Sequence, residues 1–319
     1  MSQIKIVYGG ASLNATGNFK DKESVSQVLD ALTSAGVTHL DTARLYGPSE
    51  SLIGEQPSRT AFTIDTKIKG GFEPGTAAKD AVIRDAQNSL DTVNIDQFDI
   101  LYLHAPDETV PITETLEAVN EVYKKGTFKR FGLSNFNAEQ VQEVYDLSKE
   151  KGWVLPSVYQ GNYSPIARHL ETLLFPTIRK LGFVFYAYSP LAGGFLTKAT
   201  ADLDAGAGRF NDVALGGLYS RLYDKPSLRS ALAEWNDVAE KEGISKAELA
   251  YRWVAYDSFL KAELGDAVIF GASKLGQIEQ TAGWLKKGGL SEEAHKRIDA
   301  IWESVKDDAP VDNFWGSKN

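Results

Sequence analysis

Short apolar runs and helix-period runs take turns along this chain. Ile4–Tyr8 is a compact β-rich run, and Val25–Ser34 repeats its apolar residues at the helical period before Gly36. His39–Ala43 and Phe62–Lys67 read as strands, with a short helix near Ser49–Glu55 between them. Thr76–Leu90 is predicted helical, Phe98–His104 a buried strand, Ile112–Lys125 a helix and Phe128–Leu133 extended. The alternation continues through helix Ala138–Lys149, strand Ser157–Gln160, helix His169–Lys180 and strand Phe183–Tyr188. It breaks at Ser189, where a long glycine-rich stretch runs to Pro226. Helices are predicted again at Leu228–Glu242 and Ser245–Ala255, then strand Ala267–Phe270 and helices Leu275–Lys286 and Ser291–Val305.

Strands that alternate with helices build a parallel sheet. Eight such units within 319 residues fit a closed (β/α)8 TIM barrel better than an open doubly wound sheet. No low-complexity linker divides the chain, so residues 1–319 are expected to form one α/β domain with a C-terminal tail helix. The segment 189–226 is too long for a plain connection, and loops of that length are usually functional lids or disordered.

The bulk numbers narrow the chemistry. A net charge of -9 argues against nucleic acid or an anionic membrane as the main partner. The chain has no cysteine, which excludes disulfides, thiolate metal sites and a cysteine nucleophile. No stretch approaches the ~20 apolar residues of a spanning helix, and MSQIKIVYGG lacks the pattern of a secretory leader. A cytoplasmic enzyme is the simplest expectation.

Barrel enzymes gather their chemistry at the C-terminal ends of the strands. Asp41 ends the second predicted strand, Lys67 the third and His104 the fourth; Ser134 and Asn135 follow the fifth. Gln160 ends the sixth, Tyr188 the seventh, and Gly271-Ala272-Ser273-Lys274 follows the eighth. Charged residues often end strands merely because strands end at solvent. Asp41 and Lys67 differ, since both interrupt apolar runs on neighbouring strands, and a buried charge needs a partner. His104 closes an apolar strand beside Lys67, whereas His39, His169 and His295 have no such company. The four histidines show no metal-ligand spacing, so no metal site is expected. Tyr188 is either core packing or a flat face for an aromatic ring.

Asp41, Tyr46, Lys67 and His104 suit a proton donor facing a carbonyl. An ammonium about 4 Å from a phenol favours the phenolate by ~4 kcal/mol at an effective dielectric near 20. One well-placed Lys67 is therefore expected to draw Tyr46 toward neutral pH against partial burial, with Asp41 keeping the lysine charged. His104 either positions the carbonyl oxygen or is itself the acid. The hydride must come from a cofactor, and no strand–GxGxxG–helix fingerprint is present. Ser273 and Lys274, at the start of a predicted helix, offer an anion site instead. A lysine rather than an acid there points to the 2′-phosphate of NADP.

The segments LDTARLYGPSESLIG, FTIDTKI, DILYLHAPD, FGLSNF, YQGNYSPI, FYAYSPLAGGFLT and GASKLGQIEQ together resemble the aldo-keto reductase superfamily over most of the chain. The run from NYSPIARHLETLL to GDAVIFGASKLGQIEQ is most similar to the aflatoxin-aldehyde reductase branch, which reduces aldehydes and dicarbonyls with NADPH. The resemblance implies a tetrad of Asp41, Tyr46, Lys67 and His104, with Tyr46 as the acid. It implies amide contacts from Ser134, Asn135 and Gln160, and Tyr188 stacked on a nicotinamide. Ser189, Leu191 and Gly193 are implied along the pyrophosphate, and Gly271, Ser273, Lys274, Gln277 and Gln280 about the adenosine phosphate. It also implies a small carbonyl substrate and, as in the related branch, a homodimer.

The chain departs from that pattern in three places. Thr281 stands where members usually carry Asn, Arg44-Leu45 replaces an apolar pair, and the tail DNFWGSKN lacks the branch's closing arginine. Arg44, like Arg209, is a candidate for meeting a polar or anionic substrate group; the alternative for Arg44 is an exposed loop arginine. Two other classes compete. A regulatory subunit resembling potassium-channel β subunits shares this fold and tetrad. A Schiff-base lyase would need a neutral Lys67, which Asp41 disfavours.

Overall fold

A computed structural model describes residues 3–14, 17–211 and 217–315. Eight strands run β1 (Lys5–Gly9), β2 (His39–Asp41), β3 (Thr63–Ile68), β4 (Phe98–Leu103), β5 (Phe128–Ser134), β6 (Pro156–Asn162), β7 (Val184–Tyr188) and β8 (Ala267–Phe270). They close into a barrel in chain order, β8 pairing β1, with every pairing parallel. The expected (β/α)8 barrel is the observed fold.

The first five helices are α1 (Lys22–Ser34), α2 (Ser49–Gly54), α3 (Lys79–Val93), α4 (Ile112–Lys124) and α5 (Ala138–Lys151). Local signals start two of them. Asp21 and Asn137 accept from the backbone N–H three residues on, while Ser24 and Gln140 bond back to the cap. The helix predicted over His169–Lys180 is two: α6 (Leu170–Leu173) and α7 (Phe175–Lys180). Leu174 leaves the helical region at φ -129°, as suits the residue ahead of Phe175-Pro176, because Pro176 has no N–H to continue the ladder.

The glycine-rich stretch is more ordered than expected. Irregular 3-10 turns span Ala192–Thr197, broken at Gly193 (φ 70°) and Gly194 (φ 104°). α8 (Thr200–Asp204) and α9 (Leu218–Tyr223) follow, while 212–216 lie outside the described residues. Phe195, Phe210, Tyr219 and Tyr223 pack ring to ring at 5.7–6.4 Å, a small core of their own. A Cβ on Gly193 would fall 2.0 Å from the Tyr219 ring, so only glycine fits there. α10 (Pro226–Glu242) and α11 (Lys246–Arg252) come next; α11 ends in a π turn over Trp253–Asp257. α12 (Gly276–Trp284) and the tail helix α13 (Glu292–Val305) complete the chain.

Strand period divides the side chains between two cores. Val7, Ile100, Tyr102, Val158, Tyr186, Ala267 and Ile269 fill the barrel, and a larger apolar cluster lies between strands and helices. Asp41 and Asp65 are register partners on β2 and β3, and Lys67 pairs Tyr102 on β4. Gly132 is required beside them, since a Cβ there would meet the Tyr102 ring at 2.3 Å.

Candidate active site

β2 ends at Asp41, and a single 3-10 turn over Arg44–Tyr46 then swings the phenol back over the barrel mouth. Lys67 lies one residue before the end of β3, and His104 just past β4. Lys67 is fully buried, and its ammonium donates to Asp41 Oδ2 at 2.6 Å and to the Thr42 carbonyl at 2.8 Å. Gln160 Nε2 donates to the other Asp41 oxygen at 2.9 Å, so both carboxylate oxygens are held. The Lys67 ammonium sits 4.9 Å from the Tyr46 ring centre, and the Tyr46 and His104 rings meet edge-on at 5.8 Å. The four residues singled out in the sequence thus converge on one spot.

Their electrostatics follow from burial. Burial pulls the Lys67 ammonium down, but Asp41 and Tyr46 outweigh it, and the net direction is up, toward a permanent cation. Burial and then the neighbouring Lys67 charge push His104 well below the ordinary imidazole range. That direction favours the neutral ring, whose N–H can donate a hydrogen bond, over His104 as the acid. Tyr46 departs from expectation. Burial raises it, Lys67 lowers it, Asp41 raises it again, and the net direction is up. The lysine offsets the cost of burying a phenolate without overcoming it.

The residues expected at a cofactor line the same mouth. Asn135, in the left-handed region at φ 62°, donates from Nδ2 to the His104 carbonyl at 2.8 Å and to Ser134 Oγ at 3.3 Å. Tyr188 donates to Asn135 Oδ1 at 2.9 Å and keeps part of its ring exposed. Ser189 (φ 56°) turns the chain away after β7, toward Leu191 and Gly193. After β8 and Gly271, the Ser273 and Lys274 N–H groups converge on Gln277 Oε1 at 2.8 and 3.1 Å, with Ser273 Oγ at 3.2 Å. One acceptor oxygen thus fills a cradle of donors of the kind that binds anions at a helix start. Gln280 is exposed one turn on, and Lys274 is exposed with no carboxylate partner among the described residues.

Arg44 needs correction as a substrate contact. Its guanidinium turns away toward Glu50 (3.6 Å) and Asp85 (3.7 Å), with Ser89 Oγ at 3.4 Å. Both carboxylates are buried, and Glu50 also accepts from Thr66 Oγ1 at 2.6 Å. Arg44 is thus their counter-ion, neither free for a substrate nor an ordinary solvated loop residue. Arg209 is exposed and donates to Tyr219 OH at 3.2 Å, at the rim of the aromatic cluster.

Sequence reading placed the changed tail at the substrate pocket but not which of its residues wall the site. The Asn313 N–H donates to Tyr188 OH at 3.3 Å, and Trp315 Nε1 to the Asn135 carbonyl at 3.3 Å. Phe314 packs on Phe72 at 4.9 Å, and Phe72 packs on His104 at 4.9 Å. The available signal was two adjacent aromatics in a polar tail.

A parallel barrel with lysine, carboxylate, phenol and imidazole meeting at its C-terminal mouth is the architecture of a carbonyl-handling oxidoreductase. The comparisons agree. The model of the Aldo/keto reductase family matches residues 5–303. Oxidoreductase sirO from Leptosphaeria maculans is 38% identical over 316 residues, 96% of each chain. Aflatoxin B1 aldehyde reductase member 4 from Homo sapiens is 34% identical, over 92% of this chain and 93% of that one. Member 2 from Rattus norvegicus is 33% identical, over 92% and 84%. This chain belongs to the aldo-keto reductase family, in its aflatoxin-aldehyde reductase branch.

Proposed function

We propose that this chain reduces an aldehyde or ketone to an alcohol with NADPH, Tyr46 supplying the proton. The observation that carries the reading is the Lys67 ammonium, locked on Asp41 at 2.6 Å and lying 4.9 Å from the Tyr46 ring centre. A bound nicotinamide supplies the hydride in such chemistry. Tyr46 then gives its O–H proton to the carbonyl oxygen as negative charge develops there. Lys67 stabilises the phenolate left behind, and neutral His104 donates a hydrogen bond that orients the carbonyl. A phenol raised by burial holds its proton until an alkoxide forms beside it.

Ser134, Asn135 and Gln160 fit the amide end of a nicotinamide, Tyr188 offers a face to its ring, and Ser189, Leu191 and Gly193 follow the line of a pyrophosphate. Gly271, Ser273, Lys274, Gln277 and Gln280 fit the adenosine phosphate. The exposed Lys274 cation beside the Ser273 cradle, with no carboxylate partner among the described residues, supports the 2′-phosphate of NADPH over NADH. Phe72 against His104, with Phe314 packed on Phe72 and Trp315 on Phe314, favours an apolar or aromatic carbonyl substrate. The test is NADPH and NADH oxidation with 4-nitrobenzaldehyde or 9,10-phenanthrenequinone. Tyr46→Phe is expected to lower kcat by about 10²–10⁴; near-wild-type turnover would sink the assignment of the acid.

A further inference from the structure

Asp65 lies on β3 two residues before Lys67, directly across from Asp41 in the β2–β3 register. It is fully buried. Its Oδ1 accepts the Ile100 N–H at 3.1 Å, and its Oδ2 has no hydrogen-bond partner among the described residues. The groups facing it are Asp41 from β2, Lys67 on its own strand, Asp99 and Tyr102 from β4 and Arg130 from β5.

The cations there are already committed. Lys67 bonds Asp41 at 2.6 Å and the Thr42 carbonyl. Arg130 bonds Asp99 at 2.5 Å and Tyr186 OH at 3.1 Å; that hydroxyl also takes Lys5 Nζ at 3.0 Å, and His39 lies 3.8 Å from Asp99. Two carboxylates therefore match two strong cations. A third negative charge on the same inner wall would be uncompensated, and an ionised carboxylate with one orphan oxygen is costly to bury. Asp65 and Lys67 stand two residues apart on one face of β3, with Asp41 as the register partner of Asp65, so the titrations of the two carboxyls are coupled through the same ammonium. Burial first, then Asp41 and Asp99, push Asp65 well above the usual carboxylate range against Arg130 and Lys67.

We propose that Asp65 is a reserve carboxyl for Lys67, neutral while Asp41 is ionised and giving up its proton when Asp41 cannot carry the charge. It is a positioning residue: it acts on Tyr46 only by keeping the Lys67 ammonium compensated. Its activity readout rests on the proposed role of Lys67, whereas its spectroscopic readout does not.

The experiment is infrared difference spectroscopy of the full chain against Asp65→Asn. The wild type shows the C=O stretch of a buried protonated carboxyl, and the variant lacks it. The band vanishes in Asp41→Asn, where Asp65 ionises, and persists in Lys67→Met, where no cation calls for it. Turnover in Asp41→Asn/Asp65→Asn falls at least about tenfold below Asp41→Asn alone, one pKa unit of differential interaction being tenfold. No band in the wild type, a band that survives Asp41→Asn, or equal turnover of the single and double variants overturns the proposal. Should Asp41→Asn not fold, Asp41→Ser takes its place in the same band and turnover comparisons. Undiminished turnover of Tyr46→Phe, with the bands as expected, would fail the proton-donor reading alone.

Discussion

At the scale of single residues, the site works by setting which groups carry charge. Lys67 is held as a cation by Asp41, and His104 is held neutral by burial beside Lys67. Burial alone would pull the lysine away from its ordinary cationic state, and Asp41 more than restores it. His104 carries a stability consequence. Its folded-state value lies well below the ordinary 6.5, so the unfolded chain takes up a proton that the folded one refuses. Stability is expected to fall as pH drops through and below 6.5 toward the folded value. Urea midpoints at pH 7.5 and 5.5 test this: the loss on acidification should be smaller in His104→Gln than in the wild type. The Asp41–Lys67 meeting was legible in the sequence because both interrupt apolar runs on consecutive strands. The direction of Tyr46 was not, because it depends on how much solvent the folded mouth leaves around the ring.

At the scale of elements, the β2–α2 connection holds the residue whose role neither reading of the sequence reached. In sequence, Arg44 stands two places from the phenol and reads either as a substrate contact or as an exposed loop arginine. The 3-10 turn puts Arg44 and Tyr46 on different sides, so the phenol faces His104 and the guanidinium faces α2 and α3. Arg44→Ala strips a cation from two buried carboxylates, at a cost of about 1–3 kcal/mol. Chemical denaturation should register that loss, while KM for carboxylated and neutral aldehydes stays put. A large, substrate-selective KM change would restore Arg44 to the pocket. The glycine-rich segment after β7 shows the converse. Its glycines advertised a loop, but Phe195, Phe210, Tyr219 and Tyr223 fold it into a packed unit, with Gly193 supplying the gap for a ring.

At the scale of the whole molecule, the barrel must close where its ladder is short. β7 and β8 share two register pairs. Asp266, fully buried just before β8, reinforces the seam by accepting from the Phe185 and Lys261 N–H groups, each at 2.7 Å, and from Arg179 Nη1 at 2.9 Å. Asp266→Ala leaves two backbone donors and a guanidinium unmatched inside the fold. It is expected to cost about 3–5 kcal/mol, read as a lower thermal midpoint. An unchanged midpoint would show that closure does not depend on this clamp. Among the described residues no helix is long and apolar enough to cross a membrane.

The alternation of strand and helix periods, and the polar groups that break it, were enough to name the fold and four residues of the mouth. Those features are local: a period of 2 or 3.6, a charge in an apolar run, a glycine at a turn. The tail over Tyr188, the counter-ion role of Arg44, the orphan oxygen of Asp65 and the upward direction of Tyr46 come from contacts between distant segments. Trp315 reaches Asn135 across 180 positions, and no periodicity carries that distance. Barrel closure creates the low-dielectric interior in which such groups must pair, stay neutral or shift. LDTARLYGPSE announces an acid and a phenol, and the closed wall around Lys67 sets which of its neighbours bears the charge.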